Sequence, residues 1–354
     1  MTDSVPIRVR SEIVQMPRYR QGAAAGPDQF KLSSNENPFP PLPSVLAAIE
    51  SELEINRYPD GSAARLTEKI AEVTGLSPEN VAVGPGSISL LQQLLLMVGS
   101  VGDEVVYAWR SFEGYPTVAT LTGLTPVEVP LLDDCGHDLA AMADAVTEHT
   151  RAIFLCTPNN PTGNVLTTDQ VEWLLAAVPS DVLVVIDEAY VDFVRDPDAA
   201  DGLRLLADYP NLVSVRTFSK AHGLAGLRIG YALGDPAIID VLRAAGLPMA
   251  VSNLAQRAAI ASLDASDEVA ERVEHIVGVR NRVMAGLLDQ GWEVPAPQGN
   301  FVWLPLGERS VDAGEVFLRH GAIVRVFPDS GVRVTVAEDA SVDAILAAAA
   351  ELVR

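Results

Sequence analysis

The chain has 354 residues and carries 25 Lys plus Arg against 47 Asp plus Glu, a formal net charge of -22. That balance repels nucleic-acid phosphates and anionic membrane surfaces, so neither is expected as a partner. The two cysteines, Cys135 and Cys156, lack any paired Cys or His spacing, which excludes a zinc motif and suits a reduced compartment.

The N-terminal "MTDSVPIRVRSEIVQMPRYRQG" lacks the unbroken apolar core of a signal peptide, and no apolar run reaches the roughly 20 residues a bilayer requires. A soluble, cytoplasmic protein is expected. Residues 1–29 hold Pro, Gly and Arg without steady periodicity and read as an arm lying over a neighbour or the active site. The length exceeds what one compact core usually supports, so a large domain and a smaller one should follow.

From Val81 onward a short β-branched run, a polar turn and a helical pattern alternate. The runs are "VAVG", "DEVVYA", "RAIFLC", "DVLVVID", "NLVSVRTF" and "RIGYALG", the signature of a mostly parallel sheet covered on both faces. "NLAQRAAIASLDASDEVAERVEHIVGVRNRVMAGLLDQG" reads as helical throughout, with Gly291 as its stop. The strands "NFVWLPL", "AIVRVF" and "GVRVTVA" and the Ala-rich "SVDAILAAAAELVR" then predict an α+β unit. The expected division is a large α/β domain over 30–252 and a small α+β domain with its linking helix over 253–354.

In open parallel sheets ligands bind beyond the carboxyl ends of the strands, so the residues after each run are the candidates. "PGSISLLQQ" offers Gly86 and Ser87 at a helix start, either a phosphate cradle or an ordinary turn. Phe112 follows the next run as a platform for an aromatic ring or a core aromatic. "TPNNPTGN" holds an Asn pair between prolines, rigid enough to aim the Asn160 amide. Asp187 ends a strongly apolar strand and asks for a cation or N–H donor. Lys220 follows "RTFS", with Arg228 beyond it in "GLAGLRIG".

No G-x-G-x-x-G opens the first βα unit and no G-x-x-x-x-G-K-[ST] is present. Pyridoxal 5′-phosphate needs all these groups, because its aldehyde takes a lysine amine and its pyridinium nitrogen takes a carboxylate. Lys220 and Asp187 suit those two places.

"TPNNPTG", "DEAY" and "FSKAHGLAGLRIG", in this order, resemble the fold-type I aminotransferases; "KLSSNENPF" and "RYPDG" resemble their histidinol-phosphate aminotransferase branch. "GSISLLQQ", "WRSFEGYP", "QGNFVWLPLG" and "VRVFPDSGVRVTVAE" are most similar to the actinobacterial aromatic-amino-acid aminotransferases of that branch. The resemblance implies an aspartate aminotransferase-like fold, with a mostly parallel seven-stranded large domain and a smaller α+β domain.

By the same resemblance Lys220 is the catalytic amine and proton shuttle, and Asp187 holds the ring nitrogen. Asn160 and Tyr190 bind the ring oxygen, although Tyr190 also reads as a packing residue. Phe112 stacks on the ring. Gly86, Ser87, Ser219 and Arg228 hold the phosphate, with Tyr58 supplied from the other subunit of a homodimer. Arg333, otherwise a plain strand arginine, grips the substrate carboxylate. Asn35 lines that pocket, Tyr19 and Arg325 lie near the substrate side chain, and Phe327 offers an apolar face to a ring. His222 stands where the branch commonly has tyrosine and receives no catalytic role. The implied reaction is ping-pong transamination of Phe, Tyr or Trp with a 2-oxo acid such as 2-oxoglutarate, the alternative being histidinol phosphate as substrate.

Overall fold

The computed structural model describes residues 7–16, 26, 29–52, 54–336 and 338–353. Their strands are β1 (Phe30–Leu32), β2 (Val81–Gly84), β3 (Glu104–Trp109), β4 (Thr125–Pro130), β5 (Thr150–Cys156), β6 (Leu183–Asp187), β7 (Leu212–Thr217), β8 (Gly230–Gly234), β9 (Phe301–Gly307), β10 (Ala322–Phe327) and β11 (Ser330–Thr335). A seven-stranded sheet runs β2-β8-β7-β6-β5-β3-β4. All its neighbours pair in parallel except β8, which is antiparallel to both β2 and β7.

Because side chains alternate along a strand, each central strand feeds two cores. Val105, Tyr107, Val185 and Val213 face a layer holding Leu90, Leu91, Leu94 and Leu95 of helix Ser87–Val98. Val106, Ala108, Val184 and Ile186 face Val171, Leu174 and Leu175 of helix Thr168–Ala177. That second helix starts at a capping box in which Thr167 and Gln170 satisfy each other's free N–H. Full burial of each such leucine stabilises the fold by about 1.5–3 kcal/mol.

Strand β4, "TPVEVP", has no counterpart among the strands expected from sequence. Its two prolines interrupt the apolar pattern, and they are tolerated because β4 lies at the sheet edge.

The second sheet runs β1-β10-β11-β9. Strand β1, formed by residues that the expected division assigned to the large domain, pairs in parallel with β10, Leu32 opposite Val324. Phe30 and Leu32 bring it there by packing into the core beneath the smaller sheet. The expected single helix from residue 253 is two, Asn253–Asp264 and Ser266–Asp289, separated at Ala265, and Gly291 follows with φ 89°. The longer one bridges the two halves: Val273, Ile276 and Val277 pack into a core shared with Phe218 and Tyr231. Val283 and Leu287 pack under the smaller sheet. Among the described residues no helix is long and apolar enough to cross a membrane.

Candidate functional site

Strand register brings the chemistry to the carboxyl ends of the central strands. Cys156, the end of β5, lies beside Asp187, the end of β6. Thr217, the end of β7, lies beside Gly230, which in turn faces Gly84. A cavity of about 430 Å³ opens there, and Lys220, Asp187, Asn160 and Tyr190 line it together.

Asp187 is buried, 3 % exposed. Burial pushes its pKa up to about 6, opposed by hydrogen bonds from the Tyr115 hydroxyl and the Ala189 N–H. The Tyr115 contact is 2.9 Å to Oδ2. Burial also moves Lys220, downward to about 7, and the positive charges of Arg333 and Arg228 push the same way. Its Nζ donates to the Ser34 carbonyl at 3.1 Å and lies 5.7 Å from the Tyr190 ring centroid. A lysine held near neutrality has a free amine at physiological pH, the form that attacks carbonyls and accepts protons.

The Asn pair divides its work. Asn159 ties the turn together through Ser111, Thr162 and the Arg110 carbonyl. Asn160 faces the cavity, and its Oδ1 accepts from Arg333 NH1 at 2.6 Å. Tyr190 is buried too, its hydroxyl pushed up to about 12 by burial.

The anion-binding candidates gather at the start of helix Ser87–Val98, the end whose dipole attracts anions. Gly86 precedes it with φ 86° and ψ 158°, a region essentially closed to other residues. A Cβ there would also collide with the Arg228 guanidinium. Arg228 NH1 donates to Ser219 Oγ at 3.3 Å, and Ser87, Ser219 and Arg228 all line the cavity. Phe112 lines it as well and meets Tyr115 edge-on at 5.6 Å.

Arg325 and Arg333 complete the wall, standing opposite each other across the β10–β11 ladder. Arg333 NH2 donates to the Ser33 carbonyl at 2.7 Å. Arg325 is held by Glu113, Nε to Oε2 and NH2 to Oε1, each at 2.9 Å.

Two expectations fall elsewhere. The Asn35 amide donates to the Tyr190 hydroxyl at 3.0 Å and accepts from Thr335 at 2.9 Å, so it sits behind the cavity and orients Tyr190. Phe327 is 2 % exposed and packs edge-on against Trp303 at 5.4 Å, leaving no face for a ligand ring. Tyr58, expected to serve a second subunit's site, is outside this chain's cavity and 85 % exposed. Tyr19 lies outside the described residues. His222 bonds Ser262 at 2.8 Å and packs on Phe218, away from the cavity lining.

Sequence reasoning did not reach Tyr115, Glu113 or Asn37, which donates to the Lys220 and Ala221 carbonyls at 3.3 and 2.9 Å. A signal existed for Tyr115: it follows Phe112 closely, at the start of the next helix, and a buried tyrosine hydroxyl requires a polar partner. Among the described residues no group of three His, Cys, Asp or Glu is arranged to hold a metal ion.

The site's residues fit a phosphorylated aromatic aldehyde. A buried carboxylate and a near-neutral amine share one cavity, and an anion cradle at its rim admits only glycine at residue 86.

Comparison with known proteins agrees with that geometry. Residues 27–348 match the family model described as aminotransferase class I and II. An aromatic amino acid aminotransferase of Streptomyces avermitilis is 49% identical over 98% of this chain and 97% of its own length. One from Cutibacterium acnes is 50% identical over 98% and 99%. The crystal structure of a histidinol-phosphate aminotransferase from Sinorhizobium meliloti, in complex with pyridoxal-5′-phosphate, superposes with a TM-score of 0.87 at 31% identity, covering 99% of each chain. A single mutant of Thermus thermophilus aspartate aminotransferase shares the fold, with a TM-score of 0.85 at 24% identity over 98% of this chain and 99% of its own. The chain belongs to the class I and II aminotransferases.

Proposed function

We propose that the protein is a pyridoxal 5′-phosphate-dependent aminotransferase that transfers the amino group of aromatic amino acids to a 2-oxo acid such as 2-oxoglutarate. The observation that carries the chemistry is the near-neutral Lys220 sharing a cavity with the buried Asp187. The substrate class is supported by the aromatic amino acid aminotransferases that are 49% and 50% identical over nearly the whole chain. The histidinol-phosphate alternative has weaker support, from a structural relative at 31% identity.

Bound in this cavity, pyridoxal 5′-phosphate supplies a carbonyl carbon that holds amines and a ring that accepts the electrons released when substrate Cα loses its proton. Asp187 would accept a hydrogen bond from the protonated ring nitrogen, whose positive charge would lower the carboxyl pKa. The Tyr190 hydroxyl and the Asn160 amide would hold the ring oxygen; Asn35 fixes the first and Arg333 the second. Gly86 and Ser87 at the helix start, with Ser219 and Arg228, would hold the phosphate. Phe112 would lie against the ring.

Lys220 would take the proton from substrate Cα as a neutral amine and hold it as the ammonium for return. Arg333 binds the substrate carboxylate and so fixes which Cα bond is broken. Both substrates use this site in turn, which gives ping-pong kinetics.

A cytoplasmic homodimer belongs to the proposal. Tyr58 is 85 % exposed, and Ile55 and Leu247 are both 79 % exposed. Gly61, beside Tyr58 in sequence, packs close to Met249. Exposed apolar side chains are what an interface would bury, and they are consistent with Tyr58 reaching the phosphate of a second subunit's cofactor.

The test is chemical. Protein loaded with pyridoxal 5′-phosphate is expected to be yellow, and borohydride should fix the cofactor on the peptide carrying Lys220, as read by mass spectrometry. Labelling at another lysine, or none, overturns the assignment.

A further inference from the structure

The turn after β3 ends in Glu113, which stands at the head of helix Gly114–Thr122 and lines the cavity. Strands β10 and β11 set Arg325 opposite Arg333. Two like charges directly opposed on a ladder repel, and together they make a strong anion site. Glu113 cancels one of them. Its two oxygens grip Arg325 in a fork, with both contacts at 2.9 Å. The side chains are only 33% and 18% exposed, so the pair is shielded from bulk water and its geometry is specific.

We infer that Glu113 is a specificity-determining residue that disfavours substrates with an anionic side chain, phosphate monoesters most of all, by holding Arg325. The inference rests on the aminotransferase reading above and deepens it. Arg333, held by Asn160 and the Ser33 carbonyl, receives the single carboxylate of an aromatic amino acid. A neutral ring beside the Glu113–Arg325 pair leaves that pair intact. A phosphate dianion instead competes with the Glu113 carboxylate for the same guanidinium and meets its negative charge at close range. A second carboxylate meets the same opposition with less charge.

The experiment compares E113Q, E113D and R325Q with wild type in the amine half-reaction, with phenylalanine, glutamate and histidinol phosphate as donors. The reading is the ratio of kcat/KM between each anionic donor and phenylalanine. Replacing Glu113 by Gln is expected to raise the histidinol phosphate ratio about tenfold or more and the glutamate ratio by less. Asp, which keeps the charge, should restore most of the discrimination. Removing the cation in R325Q should lower the histidinol phosphate ratio. A second reading needs no turnover: calorimetry should show 2-phenylethyl phosphate gaining affinity in E113Q relative to 3-phenylpropionate.

Ratios within twofold of wild type in E113Q, or a parallel fall for every donor, overturn the role of Glu113. That failure is distinct from failure of the substrate reading, in which the wild-type enzyme itself prefers histidinol phosphate to phenylalanine.

Discussion

The Tyr115 hydroxyl donates to Asp187 Oδ2 at 2.9 Å in a fully buried setting. Burial alone drives the carboxyl pKa upward, and this hydrogen bond is the first of the interactions that restrain it. Tyr115 is a positioning residue: it keeps Asp187 ionisable and aimed at the proposed ring nitrogen.

Tyr115→Phe is therefore expected to raise the Asp187 pKa above 6 and to reduce kcat/KM roughly tenfold to a hundredfold, the scale of one hydrogen bond to a charged group. The stability effect has a definite sign. Asp187 binds its proton more tightly in the folded state, since its pKa rises from 3.8 to about 6. Its ionisation thus costs stability, absent below pH 3.8 and fully present above about pH 6. Without the tyrosine hydroxyl that cost grows, so the variant should lose more stability at pH 8 than at pH 5. Urea unfolding at the two pH values checks this, and an equal loss at both contradicts it.

Lys220 titrates in the opposite sense. Its pKa falls from 10.5 to about 7 on burial, so the free amine predominates above pH 7. The rate at which cofactor-free protein takes up pyridoxal 5′-phosphate should rise from pH 6 to pH 8 and then level off. Stopped-flow absorbance checks the curve, and a rise continuing steadily to pH 10 contradicts it. Lys220→Ala should lower turnover by at least about 10²–10⁴-fold, the usual contribution of a general acid–base group.

Arg333 acts on three neighbours at once. It donates to Asn160 and the Ser33 carbonyl, and its charge helps to lower the Lys220 pKa. Arg333→Met should reduce kcat/KM for amino acids roughly 10²–10³-fold, the consequence of losing a charged clamp in a shielded site. It should also shift the midpoint of cofactor uptake to higher pH. A loss of activity with an unmoved midpoint contradicts the electrostatic link.

Gly86→Ala tests the anion cradle. The backbone at residue 86 has φ 86° and ψ 158°, and an added methyl collides with Arg228. The strain is about 1–3 kcal/mol, and displacement of Arg228 should weaken pyridoxal 5′-phosphate binding tenfold or more. Titration of cofactor-free protein gives the affinity, and an unchanged value contradicts the cradle.

Strand ends proved legible in sequence because each central strand is buried on both faces and reads as one apolar run. Asp187, Asn160 and Lys220 stand just after such runs, and the structure gathers them in one cavity. Strand β4 escaped because its prolines break the pattern, and only its edge position makes them harmless. The pairing of β1 with β10 escaped because it joins residues 30 and 322, a contact no local periodicity encodes. The same blindness to distance hid the Glu113–Arg325 fork. Asn35 was placed beside the substrate from its segment, but the Tyr190 and Thr335 hydroxyls engage its amide. Phe327 shares a face of β10 with Arg325, but it is buried and packs on Trp303 in the structure.

The most direct measurement is the single-turnover amine half-reaction of cofactor-loaded protein, followed by the visible absorbance of the bound cofactor. Phenylalanine, tyrosine, tryptophan and histidinol phosphate are each mixed with the protein at matched concentrations. Rapid loss of the band with the three aromatic amino acids, and slower loss with histidinol phosphate, is the expected result. Rapid loss with histidinol phosphate alone contradicts the aromatic assignment, and no loss with any donor contradicts transamination at this site.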